Sequence, residues 1–229
     1  MTTTAHNAED YEKRYREGYG LQYPESHIIR ANKQILEWQL GMRGGKIFDF
    51  GCGAGAHLKY FVEQGYEPFG CDTRTTAIEA ARRALPKWSA NLKVTPVNPD
   101  LPALFGAGDF QLFISNQVLY FLDDAGIAAI VAQAHRMVAP GGVFIATMMA
   151  PTCWYARYIQ GERDGFKLVR LDTPRQKGEL LINFKTRDEL ARLFAPFVPL
   201  HVGSYGSHIR EEEGSTDHWI FVGRKGGKA

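Results

Sequence analysis

With 229 residues, 45% of them hydrophobic and 23% charged, the chain is long enough to bury one sizeable core and has the composition of a globular protein. A formal net charge of +2 argues against a strongly basic nucleic-acid surface or a polybasic membrane surface. The three cysteines, Cys52, Cys71 and Cys153, have no metal-ligand spacing, so no metal is expected, and they fit a reduced, cytoplasmic setting.

In chain order, "MTTTAHNAED" has no apolar stretch of the kind a secretory signal needs, and residues 1–9 are expected to fray. Residues 10–40 carry a helical pattern with a break. Tyr11, Tyr15 and Tyr19 recur every four residues, "GYGLQYP" interrupts, and Ser26 is expected to cap a second helix bearing Ile28, Ile29, Ile35, Leu36 and Leu40. Then strands and helices alternate: a strand over Lys46–Phe50, a helix over His57–Gln64, the strand "EPFGCD", and a helix over Thr75–Leu85. The peripheral strand "LKVTPV", weakened by Pro96, comes next, followed by the strand "FQLFIS", a helix over Asp123–Val138 and the strand "VFIATMM". No run reaches the length of a membrane-crossing helix. Four such alternations predict an α/β fold whose parallel sheet is covered by helices on both faces. Residues 151–185 are aromatic and basic without a clear period. A short helix, "TRDELARLF", capped by Thr186, precedes two closing strands, "VPLHVGSYGSH" and "DHWIFVGRK", joined as a hairpin.

The first strand runs into Gly51, Gly53 and Gly55. Three glycines at a strand end suit a loop whose backbone N–H groups must approach a ligand. Their Gly-x-Gly-x-Gly spacing, with Ala56 next, departs from the strict dinucleotide fingerprint Gly-x-Gly-x-x-Gly. About twenty residues on, Asp72 ends the second strand, where a carboxylate can accept both hydroxyls of a ribose; coupled to the glycine loop, this outweighs a plain helix-capping role. Ser115, Asn116 and Gln117 fall at the mouth of the same cleft.

In order, "FDFGCGAGAHL", "PFGCDTR", "DFQLFISNQVLYFL" and "HRMVAPGGVFIATM" resemble the class I S-adenosylmethionine-dependent methyltransferases of the small-molecule type. The resemblance implies a Rossmann-like, seven-stranded, mostly parallel sheet with an antiparallel last strand. It also divides a single 1–229 domain into an N-terminal helical cover (10–40), a cofactor-binding core (46–149), a substrate lid (151–185) and a closing helix and strands (186–225). By position it implies that Asp49, Gly51, Cys52, Gly53 and Gly55 surround the methionine part of S-adenosylmethionine, and that Asp72 and Thr73 hold the ribose. Asn98 or Asp100 edges the adenine, and Asn116 and Gln117 lie under the sulfonium and amino group. "SNQV" lacks the Asn-Pro-Pro-aromatic signature of enzymes that methylate nucleobase or glutamine amide nitrogens.

The implied reaction is in-line methyl transfer to a small metabolite, leaving S-adenosylhomocysteine, with oxygen favoured over nitrogen because small-molecule members so often methylate oxygen. A hydroxyl acceptor calls for a base; Tyr120, His201, His208 and His218 are candidates, with Tyr120, just beyond the fourth strand, best placed and His201, at the start of the sixth, named second. The variable segments supply the acceptor walls: Tyr11, Tyr15, Tyr19 and Tyr23 from the first, and Trp154, Tyr155, Tyr158, Phe166 and Arg157 from the second. In the second segment Arg157, Arg163, Lys167, Arg170, Arg175, Lys177 and Lys185 outnumber Glu162, Asp164, Asp172 and Glu179, which hints at an anionic acceptor. No nucleic acid or membrane partner is expected, and the protein is a monomer or homodimer. The competing readings are an NAD(P)-dependent oxidoreductase, which the glycine spacing and the absence of a Tyr-x-x-x-Lys pair disfavour, a macromolecular methyltransferase, and an inactive S-adenosylmethionine-binding protein.

Overall fold

The computed structural model describes residues 22–173, 177–211 and 214–227. Helix α1 (Ser26–Arg30) continues into a wider π-helical stretch, Ala31–Gln39. Ser26 is not its cap: the cap position is Glu25, whose carbonyl accepts the N–H groups of Ile28 and Ile29 at 3.0 and 3.3 Å. The alternating part follows as β1 (Gly45–Phe50), α2 (Ala56–Glu63), β2 (Tyr66–Asp72), α3 (Thr75–Ala84), β3 (Leu92–Val94), α4 (Leu101–Phe105), β4 (Phe110–Ser115), α5 (Asp124–Met137) and β5 (Val138–Met149). Strand β3 is shorter than expected, ending before Pro96, and α4 occupies a stretch in which no helix was expected, opened by the Asp100 side chain accepting the Ala103 N–H at 3.3 Å.

Residues 151–185, without clear period in the sequence, hold a three-stranded antiparallel sheet: β6 (Ile159–Arg163), β7 (Phe166–Asp172) and β8 (Lys177–Ile182). Helix α6 (Arg187–Leu193) and strands β9 (Val198–Tyr205) and β10 (His218–Arg224) close the chain. The main sheet has seven strands in the order β3-β2-β1-β4-β5-β10-β9; the first five are parallel, and β10 runs antiparallel to both neighbours.

Strand periodicity sorts the core into two layers. Phe48, Phe113 and Phe144 pack under α4, α5 and α6, while Ile47, Ile114 and Ile145 pack under α1, α2 and α3. At α6 the N–H and hydroxyl of Thr186 both donate to Glu189, at 2.7 and 2.6 Å, as the "TRDE" pattern implies. Thr186→Ala is expected to cost about 1 kcal/mol and to lower the melting temperature by about 2–4 °C in calorimetry; an unchanged melting temperature would show that the cap contributes nothing to the fold.

Among the described residues no helix is long and apolar enough to cross a membrane, and no group of three or more His, Cys, Asp or Glu is placed to hold a metal ion.

Candidate active site

A parallel sheet leaves a crevice at the carboxyl ends of its strands where the order reverses. Here that point lies between β1 and β4, and a cleft there is lined by residues 50–54, 56, 57, 71–74, 95, 116–118 and 121. The N–H groups of Gly51 and Cys52 both donate to the Cys71 carbonyl at 2.9 Å, which ties the glycine loop to the end of β2. Gly51 has φ +78°, and a side chain there would run into Val118 across the cleft. The Asp72 carboxylate bridges two loops: Oδ2 accepts the Gly53 N–H at 3.0 Å and Oδ1 accepts the Arg74 N–H at 2.9 Å. Burial pushes its pKa upward against those two bonds.

Below the loop, Asp49 is 1% exposed and its Oδ2 has no hydrogen-bond partner. Burial first, and the nearby Asp72 charge second, hold its carboxyl well above the usual range. His57 Nδ1 lies 3.9 Å from that oxygen; its Nε2 is also unpartnered, and burial depresses the ring to about 4, so it is neutral at physiological pH. The cleft floor thus holds a buried carboxyl with an unused oxygen and, among the described residues, no lysine or arginine paired with it, a site suited to a cationic ligand group. Burial also raises the thiols of Cys52 and Cys71, the latter to about 12, so both act as small apolar lining rather than as nucleophiles.

A polar cluster fills the mouth. Glu25, reaching from the N-terminal side, accepts the Asn116 amide at 2.6 Å and the Gln117 amide at 3.0 and 3.1 Å. His27 Nε2 contacts Asn116 Oδ1 at 2.8 Å, and its ring stacks on Tyr205 at 3.6 Å. Gln117 sits at φ +58°, held by its N–H to Thr147 Oγ1 at 2.7 Å, and its side chain also reaches the Tyr205 hydroxyl at 3.3 Å.

Residues 47–142 match the family described as "Methyltransferase domain". An uncharacterized methyltransferase of Synechocystis is 30% identical over 112 residues, 48% of this chain and 50% of that protein. A ubiquinone biosynthesis O-methyltransferase of Psychrobacter cryohalolentis is 31% identical over 111 residues, 47% of this chain and 42% of that one. The chain spans about half the length of the curated relatives it matches. Over residues 47–142, less than half of its length, the chain is similar to the methyltransferase-domain family. The chain shares its fold with the 1,6-didemethyltoxoflavin-N1-methyltransferase of Burkholderia thailandensis, with a TM-score of 0.64 at 22% identity over 95% of this chain and 86% of that one. It also shares it with a Pyrococcus horikoshii protein, with a TM-score of 0.69 at 16% identity over 93% and 98%.

Of the residues expected to hold the methyltransferase cofactor, Gly51, Cys52, Gly53, Asp72, Thr73, Asn116 and Gln117 line the cleft together. Asp49 lies just beneath. Gly55 does not line it: it stands at the cap position before α2 with φ +82°, where a Cβ would lie 3.2 Å from Ala81 Cβ. Asn98 is also absent from the lining; Thr95, whose N–H donates to the Asp72 carbonyl at 3.0 Å, occupies that edge because the chain leaves β3 earlier than expected. His57, Arg74, Val118 and Phe121 join the lining without having been expected there.

Tyr120, expected as a base, is buried in the hydrophobic layer, and its ring is 5.6 Å from His218. His201 is not brought to the cleft: it is exposed on β9, with Nε2 2.7 Å from Gln39 Oε1. Tyr11, Tyr15 and Tyr19 lie outside the described residues. Tyr23 is exposed, while Trp154 is buried with Tyr155 and Tyr158 edge-on to it at 4.6 and 5.7 Å. Arg157 is exposed beside Gly214. Four of the seven basic residues of the segment are paired: Lys167 pairs with Glu162 and Arg170 with Glu179, while Lys177 meets Asp172 at 3.1 Å and Lys185 meets Asp124 at 2.7 Å. These cross-strand and inter-element pairs engage Lys167, Arg170, Lys177 and Lys185 within the fold, while Arg175 lies outside the described residues.

Proposed function

We propose that the protein binds S-adenosylmethionine in this cleft and transfers its methyl group to a hydroxyl of a small molecule. The observation that supports the reading is the floor: Asp49 keeps an unpartnered, buried oxygen that suits the cationic methionine end, and Asp72, each of whose oxygens holds one loop N–H, ends β2 where it suits a ribose. The bound cofactor supplies an activated methyl on sulfur; the protein aligns the acceptor with it and excludes water. Oxygen is supported as the acceptor by the name of the Psychrobacter relative. The Glu25 carboxylate at the mouth favours an acceptor that is not an anion near its reacting atom.

Calorimetric titration tests this. S-adenosylmethionine and S-adenosylhomocysteine are expected to bind, and NAD is not. A ligand cation beside Asp49 lowers its raised pKa, so at mildly acidic pH binding expels protons and the heat depends on the buffer's ionisation enthalpy. Asp49→Asn should abolish that dependence. Binding of NAD in place of the other two overturns the proposal.

A further inference from the structure

We propose that His218 is the catalytic proton acceptor of this methyltransferase and that its acceptor substrate is a phenol; the inference rests on the hydroxyl reading above. The last strand sets His218 directly between Met149 of β5 and Tyr205 of β9. It therefore stands at the carboxyl end of β5, beside the ring whose hydroxyl meets Gln117 at the cleft mouth. Its Nδ1 lies 2.8 Å from the Thr216 carbonyl, an oxygen that can only accept. The ring proton is thus on Nδ1, and Nε2 carries the lone pair. That Nε2 is buried and has no hydrogen-bond partner.

The ring is also held in plane. Tyr205 stacks on it at 5.2 Å and 9°, and Tyr120 closes a further side at 5.6 Å. Trp154, in the loop that hydrogen-bonds to the entry of β10, adds a second buried and unpartnered polar atom, Nε1, a donor. One acceptor and one donor among rings fit an aromatic hydroxyl better than an aliphatic chain. The charged and titratable groups around the imidazole are Glu25, His27 and Asp217, with Tyr205 and Tyr120 as packed phenols. Burial outweighs the acidic neighbours and lowers its pKa below 6.5, so it is a free base at neutral pH. A base this weak removes a proton from a phenol, with a pKa of about 10, far more readily than from an aliphatic alcohol.

The step balances. The oxygen–methyl bond forms as the carbon–sulfur bond breaks, and that electron pair stays on sulfur. The phenol proton moves to Nε2 and is lost to solvent once the product leaves.

The test uses the full chain. Nitrogen NMR of the histidine rings at about pH 7 should show His218 neutral, with its proton on Nδ1; a proton on Nε2, or a doubly protonated ring, overturns the inference. Methyl transfer from S-adenosylmethionine is then measured on a panel of phenol, catechol, 4-methylcatechol and hydroquinone. His218→Asn keeps a donor for Thr216 and should bind S-adenosylhomocysteine as before, yet lose about 100-fold or more in kcat, along with the acid limb of the kcat/KM profile. If that variant does not fold, His218→Gln is read the same way. Retained kcat within about threefold, or a surviving acid limb, overturns the base assignment alone. Failure of the unsubstituted protein to methylate any of the panel while it binds S-adenosylhomocysteine overturns the phenol assignment. Failure to bind S-adenosylhomocysteine at all overturns the methyltransferase reading itself.

Discussion

Alanine at Asp72 is expected to lower S-adenosylhomocysteine affinity by about 100-fold or more while the protein stays folded. Two effects combine. The carboxylate is the acceptor available at the end of β2 for a ribose, and each hydrogen bond to a charged group contributes about 1.5–3 kcal/mol. Two of them amount to about 3–6 kcal/mol, or about two to four powers of ten in affinity. The same oxygens hold the Gly53 and Arg74 N–H groups, so their loss also loosens the glycine loop that lines the cleft. The fold itself should tolerate the change, because burial disfavours this carboxylate, as its raised pKa records. Asp72→Asn should fall between: an amide offers one oxygen to two N–H donors and turns its own donor toward the other. Calorimetry reads the affinity and thermal unfolding the fold. Affinity within about tenfold of the unsubstituted protein would falsify the ribose role and leave Asp72 a structural bridge.

What the sequence revealed about the fold was mostly periodicity. Alternate residues of β1, β4 and β5 go to opposite core layers, so runs such as "FQLFIS" read as strands buried on both faces. The glycine loop and Asp72 were legible because a strand end, a turn and a carboxylate follow one another within about twenty residues. The mouth was not legible. Glu25 meets Gln117 across 92 positions, and nothing local announces that contact. Ser26 looked like a cap because its residue type is right, whereas Glu25 holds the cap position and its side chain is engaged at the cleft. The small sheet of residues 159–182 escaped because β6 is exposed along most of its length and shows no apolar alternation. Its long side chains are joined by cross-strand charge pairs, which a count of basic residues treats as free cations. His201 drew notice as a histidine near a strand end, yet β9 is an edge strand and turns it to solvent.

The glycine loop yields the second large effect, and a double substitution separates its causes. A Cβ on Gly51 would stand 2.3 Å from Val118 Cγ2, and the backbone there is left-handed at φ +78°. Gly51→Ala should therefore carry about 1–2 kcal/mol of backbone strain and a further overpacking cost of about 1–3 kcal/mol. Because Val118 lines the cleft, the clash also pushes a wall residue, so cofactor affinity should fall along with stability. Trimming the obstacle with Val118→Ala in the same chain relieves the overpacking and leaves the strain. The double variant should then be more stable than Gly51→Ala alone, a coupling expected of residues in contact. Gly55→Ala is the control: its φ is +82°, but its nearest neighbour is Ala81 at 3.2 Å, so it should show the strain with little clash, and Val118→Ala should not rescue it. Denaturant midpoints of the five chains decide the matter. If the double variant is no more stable than Gly51→Ala, contact with Val118 is not what requires glycine at 51, and the requirement lies in the backbone that faces the ligand.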